Sequence, residues 1–117
     1  SSCPNYVVGD VSKFVNLVTL LVDNTATETL DVSANVKLRS LYCGGKENFT
    51  LTGLDKLSAL ETFYMYGSSA VEVLDFTHSP ALLDVSIQGT HPNLKQVILP
   101  AGFNGEVEVP EGVEIVD

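Results

Sequence analysis

Tryptophan is absent from this chain, cysteine occurs twice, and cationic residues are scarce: six Lys and Arg stand against fifteen Asp and Glu in 117 residues, a formal charge of −9. The shortage of positive charge argues against polyanionic partners. A net negative domain repels phosphate backbones, so nucleic-acid binding is disfavoured, and an anionic membrane surface is disfavoured for the same reason. The acidity reads first as solubility. No apolar run approaches the roughly 18 to 20 residues that span a bilayer, so no transmembrane segment is expected, and the first residues carry no intact signal-peptide pattern. The cysteines, Cys3 and Cys43, form no C-x-x-C pair, so a zinc site is not indicated. Neither G-x-G-x-x-G nor G-x-x-x-x-G-K-[ST] occurs, and no cofactor is implied.

What the chain does have is ordinary apolar content, 44%, and enough length for one domain with a moderate core. Its apolar residues recur in the form apolar-x-x-apolar-x-apolar. Leu17, Leu20 and Val22 open one series; Leu38, Leu41 and Cys43, then Leu60, Phe63 and Met65, then Leu82, Val85 and Ile87 continue it. The leading positions lie 21, 22 and 22 residues apart, a regular internal period. A second series falls between them: Thr27, Leu30 and Val32, then Leu51, Leu54 and Leu57, then Val71, Leu74 and Phe76. A last triplet, Leu94, Val97 and Leu99, begins 12 residues after Leu82.

The last two apolar residues of each triplet are two apart, so they point to one face of a strand and the residue between them to the other. One such strand cannot bury its apolar face alone. Stacked on copies of itself it forms a continuous ladder, and a strand on each side of a coil encloses a narrow core. Between Leu51 and Phe63 the apolar residues come every three, which fits a 3-10 turn better than the alternative, a short α-helix over about residues 55–60.

These residues resemble the leucine-rich-repeat family. LRSLYC and LETFYM match L-x-x-L-x-L-x-x-N, and TETLDVSANVKLRSLYC is similar to cell-surface leucine-rich-repeat proteins of gut anaerobic bacteria. VEVLDFTHSPALLDVSI repeats that form, and LTGLDKLSALETFYM is closer to the internalin-like version. The resemblance implies a β-rich leucine-rich-repeat solenoid of about four coils of about 22 residues, with a parallel concave sheet, short strands or 3-10 turns on the convex side, and caps at both ends. It departs from the family where Gly45, Gly67, Gly89 or their neighbours replace the Asn after the concave strand; Asn35 matches an Asn of the pattern.

The expected organisation is a single domain over 1–117: an N-terminal cap over 1–16, repeats over 17–100 and C-terminal cap strands over 101–117. A strand or a short helix is expected to close the first coil, the helix running over Val11 to Leu17 with Asp10 as N-cap. In the last, EVEV alternates strictly, Pro110 and Gly112 mark a turn, and Val113 and Ile115 alternate again. The small residues before Cys3 resemble the end of a bacterial lipoprotein processing site, which implies a lipid anchor; a Cys3–Cys43 bridge is the alternative. Cys43 itself sits in the apolar pattern as a small core residue.

Catalytic chemistry is poorly signalled. His78 and His91 read as surface turn residues that Asp75 and Asp84 could approach, but no positioned nucleophile accompanies them. The acidic end, with Glu106, Glu108, Glu111, Glu114 and Asp117, lacks the loop spacing of calcium sites and reads as a solvated strand face. The stronger candidate is the outward face of the concave sheet: Val18, Thr19 and Leu21; Arg39, Ser40 and Tyr42; Glu61, Thr62, Tyr64 and Tyr66; Leu83, Asp84 and Ser86; Lys95, Gln96 and Ile98. Tyr42 and Tyr64 occupy equivalent places and should stack about 4.8 Å apart, rung on rung. Paired exposed tyrosines among Arg, Ser, Thr and Glu suit recognition, or alternatively serve cross-strand packing. The expected function is a non-catalytic protein- or glycan-binding module of a bacterial surface or secreted protein. The alternative is a structural spacer, or a fragment of a larger surface protein, with no ligand of its own.

Overall fold

The computed structural model describes residues 11–22, 29–45, 49–67 and 70–117. The chain winds as a β-solenoid of about four coils, almost without helix. Its strands are β1 (Thr19–Val22), β2 (Thr29–Asp31), β3 (Ser40–Gly45), β4 (Thr50–Thr52), β5 (Thr62–Gly67), β6 (Val73–Asp75), β7 (Asp84–Ile87), β8 (Gln96–Ile98), β9 (Glu106–Glu108) and β10 (Glu114–Val116). One side is a continuous parallel five-stranded sheet, β1-β3-β5-β7-β9. The other is divided into a two-stranded sheet, β2-β4, and a three-stranded sheet, β6-β8-β10. No helix among the described residues is long and apolar enough to cross a membrane.

The core is the space between the two sides. Leu41, Cys43, Phe63 and Met65 face it from the five-stranded sheet and are fully buried, as are Leu30, Val32 and Phe76 opposite them. In the five-stranded sheet Leu20, Leu41, Phe63, Val85 and Val107 are register partners in succession. The alternation of apolar and polar residues in LYC, FYM and VSI therefore sends one set of side chains inward and the other out.

The chain enters β3, β5 and β7 of the five-stranded sheet through two consecutive i→i+3 turns. The bonds Asn35 N–H to Val32 O and Leu38 N–H to Asn35 O recur as Leu57 to Leu54 and Leu60 to Leu57, then as Ser79 to Phe76 and Leu82 to Ser79. In the middle coil the first of these turns is a 3-10 segment, Leu54–Lys56, as the three-residue period predicts. Residues 11–17 carry the same pair of turns, Phe14 N–H to Val11 O and Leu17 N–H to Phe14 O, so the expected helix over Val11 to Leu17 does not form. The i→i+3 closure at Val11 and Phe14 matches Val32 and Asn35 one coil on, and the segment is built like the later coil turns. The proposed N-cap Asp10 lies outside the described residues, as do Cys3, Thr27 and the remainder of residues 1–10.

Asn35 and Ser79 occupy one position of this turn in two coils and are fully buried. Asn35 Nδ2 donates to the Val11 and Phe14 carbonyls of the preceding coil, 3.0 Å each. Ser79 Oγ donates to the Leu57 carbonyl, 2.7 Å. Turn carbonyls that already accept one i→i+3 bond within their own coil thus gain a second donor from the next coil, and the buried side chain that donates it is itself satisfied. Where the five-stranded sheet ends, glycine is required by close approach: a Cβ on Gly44 would lie 1.8 Å from the Tyr66 carbonyl oxygen, and one on Gly89 2.1 Å from that of Gly67.

Two expectations about register need correction. Leu51, not Leu54, pairs with Leu30, because the 3-10 segment takes Leu54 and Leu57 into the return turn. Gln96 and Ile98, with Lys95 before them, belong to the three-stranded sheet and not to the five-stranded one. Leu94 comes only 12 residues after Leu82, half a turn round the solenoid, so this triplet repeats the pattern on the opposite side. The fifth strand is instead β9, whose Val107 pairs with Val85, while β10 continues the other side on β8. Both C-terminal strands thus extend the stack, one on each side.

Candidate functional site

The outward face of the five-stranded sheet is laid out by the same register. One row runs Thr19, Ser40, Thr62, Asp84 and Glu106; the next runs Leu21, Tyr42, Tyr64, Ser86 and Glu108; Tyr66 stands opposite Gly44 in a third. Arg39, Glu61 and Leu83 precede the strands and extend the ladder: the Glu61 N–H donates to the Arg39 carbonyl and the Leu83 N–H to the Glu61 carbonyl, 2.8 Å each. The sheet thus brings together the expected residues from Val18 to Ser86 and leaves Lys95, Gln96 and Ile98 on the far side, where Gln96 Nε2 donates to Glu114 Oε1 at 2.9 Å.

The face changes character from one end to the other. Its β1 end is apolar, with Val18 and Leu21 exposed. The middle is aromatic. Tyr42 and Tyr64 meet with ring centroids 5.0 Å apart at 85°, and Tyr64 and Tyr66 at 6.1 Å and 88°. The tyrosines therefore pack edge to face, the arrangement that ring quadrupoles favour, and do not stack flat. Beside them Arg39 donates from Nε and Nη2 to Glu61 Oε2, at 3.1 and 2.9 Å. This pair is exposed, so it orders the two side chains more than it stabilises the fold.

The β7–β9 end is acidic. Tyr64 OH donates to Asp84 Oδ2 at 2.7 Å, and this bond pushes the Tyr64 hydroxyl up to about 12, since losing its proton would set two negative charges together. Glu108 Oε1 accepts from Gln88 Nε2 at 2.7 Å and from Ser86 Oγ at 3.4 Å. A depression of 670 Å³ lies here, lined by Tyr64, Tyr66, Asp84, Ser86, Glu106 and Glu108 and floored by Val85 and Val107. No cationic side chain lines it.

Glu106 and Glu108 were not expected on this face, having been read as part of a terminal strand. The signal was present in the period: Val107 lies 22 residues after Val85, so EVE repeats DVS. Other candidates fall elsewhere. His78 is exposed, its Nδ1 3.3 Å from Thr77 Oγ1, in a turn where Asp75 Oδ1 accepts from the Thr77 N–H and Oγ1 at 2.9 and 2.7 Å. The Thr77 N–H bond, chiefly, holds the Asp75 carboxyl below its usual range. His91 is not a surface residue: it is buried, with Nε2 2.9 Å from the Gln88 carbonyl, because its ring folds back under the turn that leaves β7. Cys43 is a free thiol in the core, and burial pushes its pKa up, so it stays protonated and inert. No group of three His, Cys, Asp or Glu among the described residues is placed to hold a metal ion.

No protein-family model matches the chain, and no curated protein and no solved structure shows significant similarity to it.

Proposed function

We propose that the chain is a non-catalytic binding module of leucine-rich-repeat type that holds a protein or glycan partner on its five-stranded sheet. The observation that carries this reading is the cluster of three tyrosines on the outward face, Tyr42, Tyr64 and Tyr66, running into a carboxylate-lined depression. Aromatic rings offer large contact area at low entropic cost, and the adjoining polar groups fix orientation. The sheet is a preformed platform, so little ordering opposes binding. Five short strands make a small face, and the expected affinity is modest. The repeat period, the L-D-V-S and L-x-x-L-x-C segments and the solenoid support membership of the leucine-rich-repeat class. A bacterial surface or secreted location, with a lipid anchor at Cys3, belongs to the same proposal and is supported by sequence resemblance.

A second reading has its own observation. The Arg39–Glu61 and Tyr64–Asp84 bonds join neighbouring strands, as they would in a spacer whose outward residues serve only the sheet. Glycan and protein arrays probed with the labelled protein, alongside its Tyr42→Ala/Tyr64→Ala variant, separate the two. The binding reading expects a ligand whose signal the variant loses. Ligands retained by the variant would remove the sheet face from consideration, and an array with no ligand would favour the spacer.

A further inference from the structure

Resting on the binding reading above, we propose that the partner is a basic protein segment, with a lysine or arginine side chain seated in the depression between Tyr66 and the carboxylates of Asp84, Glu106 and Glu108. Charge is the first reason. The depression offers acceptors from three carboxylates and contains no cation, and Arg39, on the same face, is already bridged to Glu61. Glu106 has no side-chain hydrogen bond among the described residues. The carboxylates there are acceptors, and so is the Tyr66 hydroxyl oxygen, which can also donate; ammonium and guanidinium groups are donors only.

The aromatic groups add a second, independent reason. Tyr64 spends its hydroxyl proton on Asp84, so toward a ligand its oxygen can only accept. Tyr66 is exposed beside it, and a ring next to carboxylates attracts a cation to its face. The spacing excludes a simpler occupant. Asp84 and Glu106 sit on neighbouring rungs, and Glu108 two residues further along β9, an arrangement too open to close around a metal ion. It suits an extended cationic side chain, whose donors reach several rungs.

Geometry also gives the segment a length and a direction. Four rung steps of about 4.8 Å separate β1 from β9, roughly 19 Å in all. About six extended residues cover that distance. A segment crossing the strands would lay an apolar residue over Leu21 and Tyr42 and its basic residue over Tyr66 and Glu108.

The test is an amide-resolved NMR titration of the whole chain with three probes: acetylated hexalysine amide, hexaglutamate and cellohexaose. Hexalysine is expected to shift amides of β5, β7 and β9 selectively, with weaker binding at about 0.5 M salt. Glu106→Gln/Glu108→Gln should weaken it by about fivefold or more. Glu111→Gln/Asp117→Asn removes the same charge away from the depression and should leave binding unchanged. Equal losses in the two double variants, or shifts scattered over the acidic surface, would reduce the effect to net charge and overturn the proposal. If cellohexaose shifts the Tyr42 and Tyr64 amides while hexalysine shifts none, the binding reading stands and the basic partner is wrong. If no probe moves the five-stranded sheet, both fall.

Discussion

The two sides of the solenoid are made from similar triplets yet differ in continuity. On the five-stranded side every rung keeps its phase, from Leu20 to Val107. On the other side the ladder stops between β4 and β6. The cause lies in how each strand is entered. β4 follows FTL, in which buried Phe49 and half-buried Leu51 are two residues apart. β6 follows VEVL and β8 follows LKQV, in which buried residues are three apart and two neighbours point outward. The extra residue keeps β6 in step with β8 and throws it out of step with β4. The Ala70 N–H still donates to the Phe49 carbonyl at 2.9 Å just before the change. The arcs compensate: from Leu41 to Leu51 and on to Phe63 takes ten and twelve residues, from Val85 to Val97 and on to Val107 twelve and ten. One side absorbs the irregularity, and the outward rows of the other stay aligned.

Substitutions can test this contrast from the largest effect down. Phe63 is buried in the continuous side and meets Phe76 with centroids 5.1 Å apart, so Phe63→Ala should cost about 3–5 kcal/mol by urea denaturation. Val73, exposed on the broken side, should tolerate Ala within about 0.5 kcal/mol. Gly44→Ala drives a Cβ into the Tyr66 carbonyl and should cost about 2–4 kcal/mol. Gly102→Ala, at φ 76° with nothing within 4 Å, should cost only about 1 kcal/mol. Asn35→Ala removes the two inter-coil bonds to the Val11 and Phe14 carbonyls and should lower stability by about 1–3 kcal/mol.

The smallest effect is expected at Tyr64. Its folded pKa of about 12 lies above that of a free tyrosine, near 10. The stabilisation is therefore complete below about pH 10 and fades as pH rises through the folded value. Ultraviolet titration should show one tyrosine ionising late, and Tyr64→Phe should remove that step with little change in neutral-pH stability.

Much of the fold was legible because the period of the apolar residues is itself the architecture. Leu38, Leu41 and Cys43, and their partners 22 residues on, fix a strand, its inward face and its stacking. Tyr42 and Tyr64 followed as neighbours from the same count. Which side of the coil a triplet occupies was not legible locally, since L-x-x-V-x-L at Leu94 looks the same on either side. The tetrapeptide LDVS makes the point: Leu30 is buried in the first copy, whereas Leu83 in the second is exposed. Lys95 and Gln96 were misplaced for this reason, and Glu106 and Glu108 overlooked. Only counting one full period from Val85 distinguishes the sides. The edge-to-face tyrosines and the Tyr64–Asp84 bond depend on side-chain rotamers, which the period does not encode.

The central claim is that one side is an unbroken, rigid platform and the other is divided. Amide hydrogen exchange on the native protein tests it most directly. Bonds on both sides of β3, β5 and β7 should make Leu41, Phe63 and Val85 among the slowest amides. By the alternation of a parallel ladder, the N–H groups of Leu51, Val73 and Asp75 point into the break between β4 and β6 and should exchange much faster. Equal protection of Leu51, Val73 and Asp75 with the amides of β5 would contradict the account.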